Sequence, residues 1–281
     1  MRPRGRVAVA WLVCGLLATA AAGAVWQEAR DTAEQQREFL RTARIVGARP
    51  IGKGVTGSLR LTLTDGTVTH DAAFQSVDER TSERERREGR RRAGEVNFVD
   101  SYKYNIAAYE IARLLALDGM MPPTVPRTYR GSRGSLTWWV DDVLMDEAER
   151  VRTNAQPPSA VDFQRQRTTM TVFAELVGDV DRNQGNVLYT RDWRVVMIDF
   201  TRAFRLHRAL RHPDTLTQID RELWERLQRL SRQEVSRAAG EYLTPGEVGA
   251  VMARREAIVQ RYERLIRERG ADTVLFDRRT P

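Results

Sequence analysis

Gly178-Asp179-Val180-Asp181-Arg182-Asn183-Gln184-Gly185-Asn186-Val187-Leu188-Tyr189, followed after a short gap by Val195-Val196-Met197-Ile198-Asp199-Phe200, is the stretch that decides the fold. It sets an acid at Asp181 in a loop, an amide five positions on at Asn186, and a second acid at Asp199 directly behind an apolar run. Asp and Asn are also turn formers, and a lone acid-to-amide interval of this length would identify nothing. The ordered combination is what carries information: Asp-Arg-Asn, then Gly-Asn, an apolar strand and Ile-Asp-Phe. Two short strands, Asn186 to Tyr189 and Arg194 to Ile198, joined by a turn at Arg191-Asp192-Trp193, bring the three side chains together. The trio suits transfer of a phosphoryl group to a hydroxyl. Asp181 supplies a carboxylate that orients the hydroxyl and accepts its proton. Divalent Mg2+ or Mn2+ prefers oxygen ligands, here the amide of Asn186 and the carboxylate of Asp199.

Upstream, Ile51-Gly52-Lys53-Gly54-Val55-Thr56-Gly57-Ser58 has the spacing G-x-G-x-x-G. In a dinucleotide-binding fold this motif opens a helix. Here Leu59-Arg60-Leu61-Thr62-Leu63-Thr64 alternates as a strand, Asp65-Gly66 makes a hairpin turn, and Val68 to Val77 returns as another strand. Ile45 to Pro50 supplies a strand before the loop. A glycine loop between antiparallel strands covers phosphates with backbone N–H groups. Without Asp181 and Asp199 it would read as a flexible hairpin.

The 281 residues suffice for one two-lobed domain or two small ones, and the formal net charge is +8. Arg and Glu are interleaved along the helical segments, as on solvated faces, and no nucleic-acid recognition motif accompanies the charge, so nucleic acid is not expected as a partner. Only two lysines occur, Lys53 and Lys103. Arg2, Arg4 and Arg6 precede an uncharged run from Val7 to Trp26, with Ala22-Gly23-Ala24 as a small-residue cleavage site. This predicts an exported chain whose residues 1–26 act as a signal peptide or a membrane anchor. The single cysteine, Cys14, lies inside that run without a lipobox, so the exported part has no thiol or disulfide chemistry.

Residues 27–44 are polar and helix-compatible, read as a spacer. Asp78 to Glu95 is dense in Arg and Glu and reads as a solvated loop, with a substrate- or membrane-facing basic patch as the alternative. Ser101 to Leu117 is an amphipathic helix ended by Pro122-Pro123. Gly134 to Val140 is a buried strand leading to a hinge at Asp141-Asp142, with Trp138 and Trp139 as core rather than cofactor-stacking groups. Phe163 to Val177 is a helix that delivers the chain to Gly178. Beyond Phe204 the pattern is helical: Leu216 to Leu230, a segment near Glu234 to Ala239, and a helix from the capping box Thr244-Pro245-Gly246-Glu247 to Arg269.

Thr169-Met170-Thr171-Val172-Phe173 through Asp181-Arg182, the helix Asn105-Ile106-Ala107-Ala108-Tyr109 and Val125-Pro126-Arg127 together resemble the secretory-pathway kinases of the Golgi casein kinase type. The Asp-Arg-Asn-x-Gly-Asn loop with Ile-Asp-Phe is similar to HipA-like and phosphatidylinositol 3-/4-kinase-like proteins as well. The resemblance covers roughly residues 45 to 205. It implies an α+β, bilobal, atypical kinase fold, with a β-rich small lobe over residues 45–140 and a helical large lobe over 141–281. It further implies Asp181 as catalytic acid/base, Asn186 and Asp199 as metal ligands, and Gly52, Gly54 and Gly57 over the phosphates of ATP or another nucleotide. The acceptor would be a hydroxyl of a protein, lipid or small molecule.

Two positions depart from this pattern. Gln75 stands where the family has its phosphate-pairing Lys, and Asn105 where it has the partner Glu. An amide pair replaces an ion pair and places no positive charge on the phosphates. Lys53 within the glycine loop and Lys103 near Asn105 are candidate substitutes, although Lys53 reads more readily as an exposed loop residue. Arg182 is either a phosphate or substrate clamp or a residue that holds the loop through carboxylate pairs. These departures leave two functions open: a metal-dependent kinase, or a pseudokinase acting as an interaction module with little or no nucleotide turnover. Net charge and the Arg-rich stretch alone suggest a third, a polyanion- or lipid-binding domain.

Overall fold

The computed structural model describes residues 32–52, 57–80 and 99–278. The expected signal or anchor over 1–26, Lys53 and Gly54 of the glycine loop, and nearly all of the Arg-Glu stretch lie outside the described residues. Among those described, no helix is long and apolar enough to cross a membrane.

The chain enters through helix α1 (residues 32–42), continues as β1 (Arg44–Pro50) and β2 (Leu59–Thr64), and returns as β3 (Thr69–Gln75). All three strands pair antiparallel, with Asp65-Gly66 at the expected turn. Alternation divides β2: Leu61 and Leu63 are buried on one face, while Arg60 and Thr62 take the other. Short strands β4 (Asp78–Arg80) and β5 (Val99–Ser101) form their own ladder, so the segment expected to be a loop starts as a strand. Helix α2 (Tyr102–Leu114) follows, burying Tyr104, Asn105, Ile106 and Tyr109. Strands β6 (Thr124–Tyr129) and β7 (Ser132–Trp138) complete a five-stranded sheet in the order β1-β2-β3-β7-β6.

Strand β6 is not legible in the sequence, because Pro126 lies at its centre and Pro lacks the N–H that a sheet ladder needs. It is tolerated because β6 is an edge strand, paired on one side only among the described residues. Helix α1 is not a detached spacer. Its Leu40, together with Ala43, joins Leu61, Leu63, Ala72, Phe74, Val125 and Leu136 in the small lobe's core. Arg127 donates to the carbonyls of Leu40 and Ala43 at 2.8 and 2.7 Å, and Arg37 donates to Glu110 of α2 at 2.5 Å.

After Asp141-Asp142 the chain forms β8 (Val143–Asp146), α3 (Glu147–Thr153) and the long α4 (Ala160–Val177), then β9 (Val187–Thr190) and β10 (Val195–Met197). The predicted hairpin is present, turning at Trp193 with φ 61°, and β8 adds a third strand in the order β10-β9-β8. The remainder is β11 (Ile219–Asp220), α5 (Arg221–Arg229), α6 (Arg232–Ala239), α7 (Pro245–Arg269), α8 (Ala271–Val274) and β12 (Leu275–Phe276). The helix expected from Leu216 starts at Arg221 instead. Asp220 caps it by accepting from Leu223 N, and Ile219-Asp220 pairs parallel with Leu275-Phe276. The capping box at Thr244 and Glu247 is formed as the sequence predicts. Phe173, Leu176, Met197, Phe200, Phe204, Leu223, Val251 and Tyr262 belong to the large lobe's core, which also takes in Tyr109 and Ile111 of α2.

Glu147 fastens the segment behind the hinge to the hairpin. Its carboxylate accepts from Arg150 at 2.5 Å, Arg167 at 2.7 Å and the Tyr189 hydroxyl at 2.7 Å. Burial works to raise this carboxyl, but the Arg150, Tyr189 and Arg167 hydrogen bonds outweigh it and bring it down to about 2. A carboxyl lowered in the folded state stabilises fully above its unfolded value and loses that contribution as pH falls toward 2. Urea unfolding from pH 7 to 3 should therefore show the wild type losing about 2 kcal/mol more than Glu147→Gln. Parallel curves for the two proteins would contradict the assignment.

Candidate active site

The loop that carries Asp181 is set by its approach. Helix α4 ends at Gly178 in the left-handed region (φ 63°), and a Cβ there would lie 2.8 Å from the Arg254 guanidinium carbon. Arg254, fully buried on α7, donates to the carbonyls of Leu176, Arg205 and His207 at 2.9, 2.8 and 2.6 Å. Burial depresses it to about 10, which still leaves it a cation at neutral pH. One guanidinium thus ties the entry to the loop to the chain beyond Phe204.

Asp179 is next, its side chain wholly buried, and it accepts the Asp181 N–H at 3.0 Å and Arg182 Nε at 2.8 Å. Arg182 also donates to the carbonyls of Asn186 (2.8 Å), Ile198 (2.5 Å) and Asp199 (3.2 Å), with its guanidinium carbon 4.0 Å from the Phe200 ring centroid. Of the two arrangements open to Arg182, the structure has the loop-holding one. Its donors converge on the backbone of both predicted metal ligands, not on the cleft.

That clamp brings the three predicted residues into one neighbourhood. Asn186 Nδ2 donates to the Asp181 carbonyl at 2.9 Å, and the Asn186 carbonyl accepts from Ile198 N at 3.1 Å. Asp199 takes φ 56°, and its Oδ1 accepts the Thr201 hydroxyl at 2.9 Å and the Thr201 N–H at 3.3 Å. A left-handed aspartate is uncommon and strained; the Thr201 bonds help to hold it.

From above, the sheet presents Gln75. Asn105 Nδ2 donates to Gln75 Oε1 at 2.5 Å and to Ser135 Oγ at 3.2 Å, while Asn105 Oδ1 accepts the Phe200 N–H at 2.7 Å. Gln75 Nε2 lies 3.5 Å from Asp199 Oδ2. The two departures from the kinase pattern therefore touch one another and bridge the small lobe to the Asp199-Phe200 turn. Gly134 makes this possible, since a Cβ there would sit 2.4 Å from the Gln75 carbonyl.

The face of the sheet that carries Gln75 also carries Ala73 and Asp71, by strand alternation. Asp71 accepts from Arg60 at 2.6 Å and from the Thr62 hydroxyl at 2.6 Å, and the Arg60 guanidinium stacks 3.9 Å from the Trp139 ring centroid. Trp138 and Trp139 are half-buried: Trp138 packs against the small lobe's core and stacks on His70, as the core reading expects, while Trp139 stacks on Arg60 outside it. Of the predicted loop glycines, Gly52 and Gly57 are described, Gly57 at φ 65°. Lys103 pairs with Asp78 at 2.7 Å.

Three participants were missed in the sequence: Asp100, Thr201 and Arg202. Arg202 Nη1 lies 3.6 Å from Asp181 Oδ2. Asp100 is buried, and its neighbour Ser101 donates its N–H to the Thr201 carbonyl at 2.9 Å. Burial raises the Asp100 carboxyl, with Thr201 and Arg202 opposing and the Asp199 charge reinforcing. The one sequence signal was proximity: Thr201 and Arg202 directly follow Ile-Asp-Phe, where the motif reading stopped.

Among the described residues no group of three or more His, Cys, Asp or Glu could hold a metal ion. The donor set nonetheless suits a hard cation shared with phosphates, which needs only one or two protein carboxylates. Asn186 spends its Nδ2 on Asp181, so the atom it has left is an oxygen. Asp199 Oδ2 meets only the long contact from Gln75 in the described geometry.

No protein-family model matches the chain, and neither does any curated protein sequence. Among solved structures it is similar to hydra Fam20 with sugar, at 14% identity and a TM-score of 0.64, covering 86% of this chain and 91% of that one. It is similar to the Golgi casein kinase with Mn/ADP bound, at 12% identity and a TM-score of 0.63, covering 88% of this chain and 79% of that one. A third is the Helicobacter pylori proinflammatory kinase CtkA, at 10% identity and a TM-score of 0.53, covering 82% and 98%. At such identities the likeness is one of fold: an open-sheet small lobe and a helical large lobe arranged as in atypical protein kinases.

Proposed function

We propose that the chain is an atypical kinase that transfers a phosphoryl group from a nucleotide, with Mg2+ or Mn2+, to a hydroxyl of a protein, lipid or small molecule. The observation that carries this reading is the Arg182 clamp, whose guanidinium bonds the Asn186 and Asp199 carbonyls and the Asp179 carboxylate that accepts the Asp181 N–H. In this reading Asp181 orients the acceptor hydroxyl and takes its proton. The acceptor oxygen forms the new P–O bond, and the bridging β–γ bond breaks with its electron pair leaving on the nucleoside diphosphate. Asn186 and Asp199 would hold the cation, whose charge offsets that developing on the phosphate oxygens. Arg182 acts as a positioning residue, and Gly52, Lys53, Gly54 and Gly57 cover the phosphates. The Golgi casein kinase structure holding Mn and ADP supports this choice of cofactors. Export through residues 1–26, cleaved or retained as an anchor, belongs to the same reading.

The Gln75–Asn105 pair favours a second reading, a pseudokinase module, because position 75 offers an uncharged amide to the α- and β-phosphates where the kinase pattern has a lysine. Thermal unfolding with Mn2+–ATP separates the two. A ligand at about 100 times its Kd should raise the wild-type midpoint by about 5 °C or more. Asp199→Ala should abolish that rise. No rise in the wild type with ATP or GTP would defeat the kinase reading; a rise without any label transfer would favour the pseudokinase.

A further inference from the structure

Resting on the phosphoryl-transfer reading, one question is which fixed cation meets the transferred group. Among the described residues near the cleft, Gln75 carries no charge, Lys103 is paired with Asp78, and Arg182 is committed to Asp179 and three carbonyls. Arg202 differs from these in place and reach. It lies three residues beyond Asp199, its guanidinium is 3.6 Å from the Asp181 carboxylate, and its side chain keeps 26% of its surface exposed.

We propose that Arg202 is the cation this site directs at the transferring phosphoryl group, in place of a lysine at position 75. A cation within 4 Å of the proton-accepting carboxylate stands at the γ end of a nucleotide, where the new bond forms. A lysine at position 75 would serve the α- and β-phosphates instead. The planar fork of Arg202 can engage two phosphoryl oxygens at once. Its pairing with Asp181 then yields to those oxygens, which leaves the carboxylate able to take the acceptor's proton. The backbone that carries it is fixed on both sides, at Thr201 by the Ser101 N–H on its carbonyl and its own hydroxyl on Asp199, and at Ala203 by its N–H on the Phe200 carbonyl.

Calorimetric binding of Mn2+–ATP and Mn2+–ADP separates this role from a structural one. Arg202→Met should weaken Mn2+–ATP about tenfold or more, the worth of a charged hydrogen bond, while Mn2+–ADP changes by less than about twofold. Arg202→Lys, which keeps the charge and loses the fork, should fall between. Adding Gln75→Lys with Asn105→Glu to Arg202→Met should strengthen ATP and ADP alike, because the restored cation acts on the phosphates they share. Wild-type ATP affinity in Arg202→Met would overturn the proposal and leave the kinase reading standing. Equal loss of ATP and ADP with a lower melting temperature would also overturn it, as a folding effect. Failure of the wild type to bind either nucleotide would defeat the kinase reading and this proposal together.

Discussion

Asp181→Asn should lower phosphoryl transfer by about 100- to 10,000-fold, the usual worth of a positioned general base. The Mn2+–ATP rise in melting temperature should survive. The carboxylate's environment separates these two quantities. Asp181 is anchored through its backbone, by its N–H on Asp179 and its carbonyl under Asn186 Nδ2, and neither bond involves the side chain. Asn keeps the shape and the Asn183 contact and gives up the ability to accept a proton. The assay is label transfer beside thermal unfolding in one preparation. An unchanged transfer rate would remove Asp181 from the chemistry; loss of the melting shift along with the rate would recast it as part of nucleotide binding.

Gly178→Ala should be among the most destabilising single changes in the large lobe, by about 3–5 kcal/mol. Two costs add. A side chain in the left-handed region costs roughly 1–2 kcal/mol. The new methyl also meets the Arg254 guanidinium, a buried cation whose bonds run to Leu176, Arg205 and His207. Displacing it leaves a charge and three carbonyls without good partners. The check is a double-mutant cycle with Arg254→Met in urea. If Gly178→Ala costs only about 1 kcal/mol in that background, the clash is confirmed, whereas simple additivity would place the whole cost in the backbone.

Much of this was readable in the sequence, for physical reasons that differ from part to part. The β1–β3 hairpins follow from strict alternation in Leu59–Thr64 and from Asp65-Gly66, signals local to a few residues. The α7 helix announced itself through Thr244, Pro245 and Glu247, a capping pattern that depends on nothing distant. The Gln75–Asn105 pairing was legible only through the resemblance, since the two positions are far apart in the chain, and the structure shows them hydrogen-bonded. Strand β6 and the parallel β11–β12 pair were not legible. Pro126 argues against a strand until one knows it lies at an edge, and a two-residue strand gives no periodicity at all. Arg182 was left with two roles because a guanidinium's partners are set by folding: here they are carbonyls contributed by residues up to 17 positions away. Arg202 and Asp100 were missed for the same reason.

Pro126 has one more consequence, concerning how the sheet behaves toward other copies of itself. An outermost strand normally offers a row of unused donors and acceptors that invites a neighbouring molecule to extend the sheet. At the middle of β6 that row has a gap, since the proline nitrogen carries no hydrogen. A strand laid along this border would lose a bond where growth most needs it, so the small lobe is guarded on that side against runaway stacking by its backbone alone.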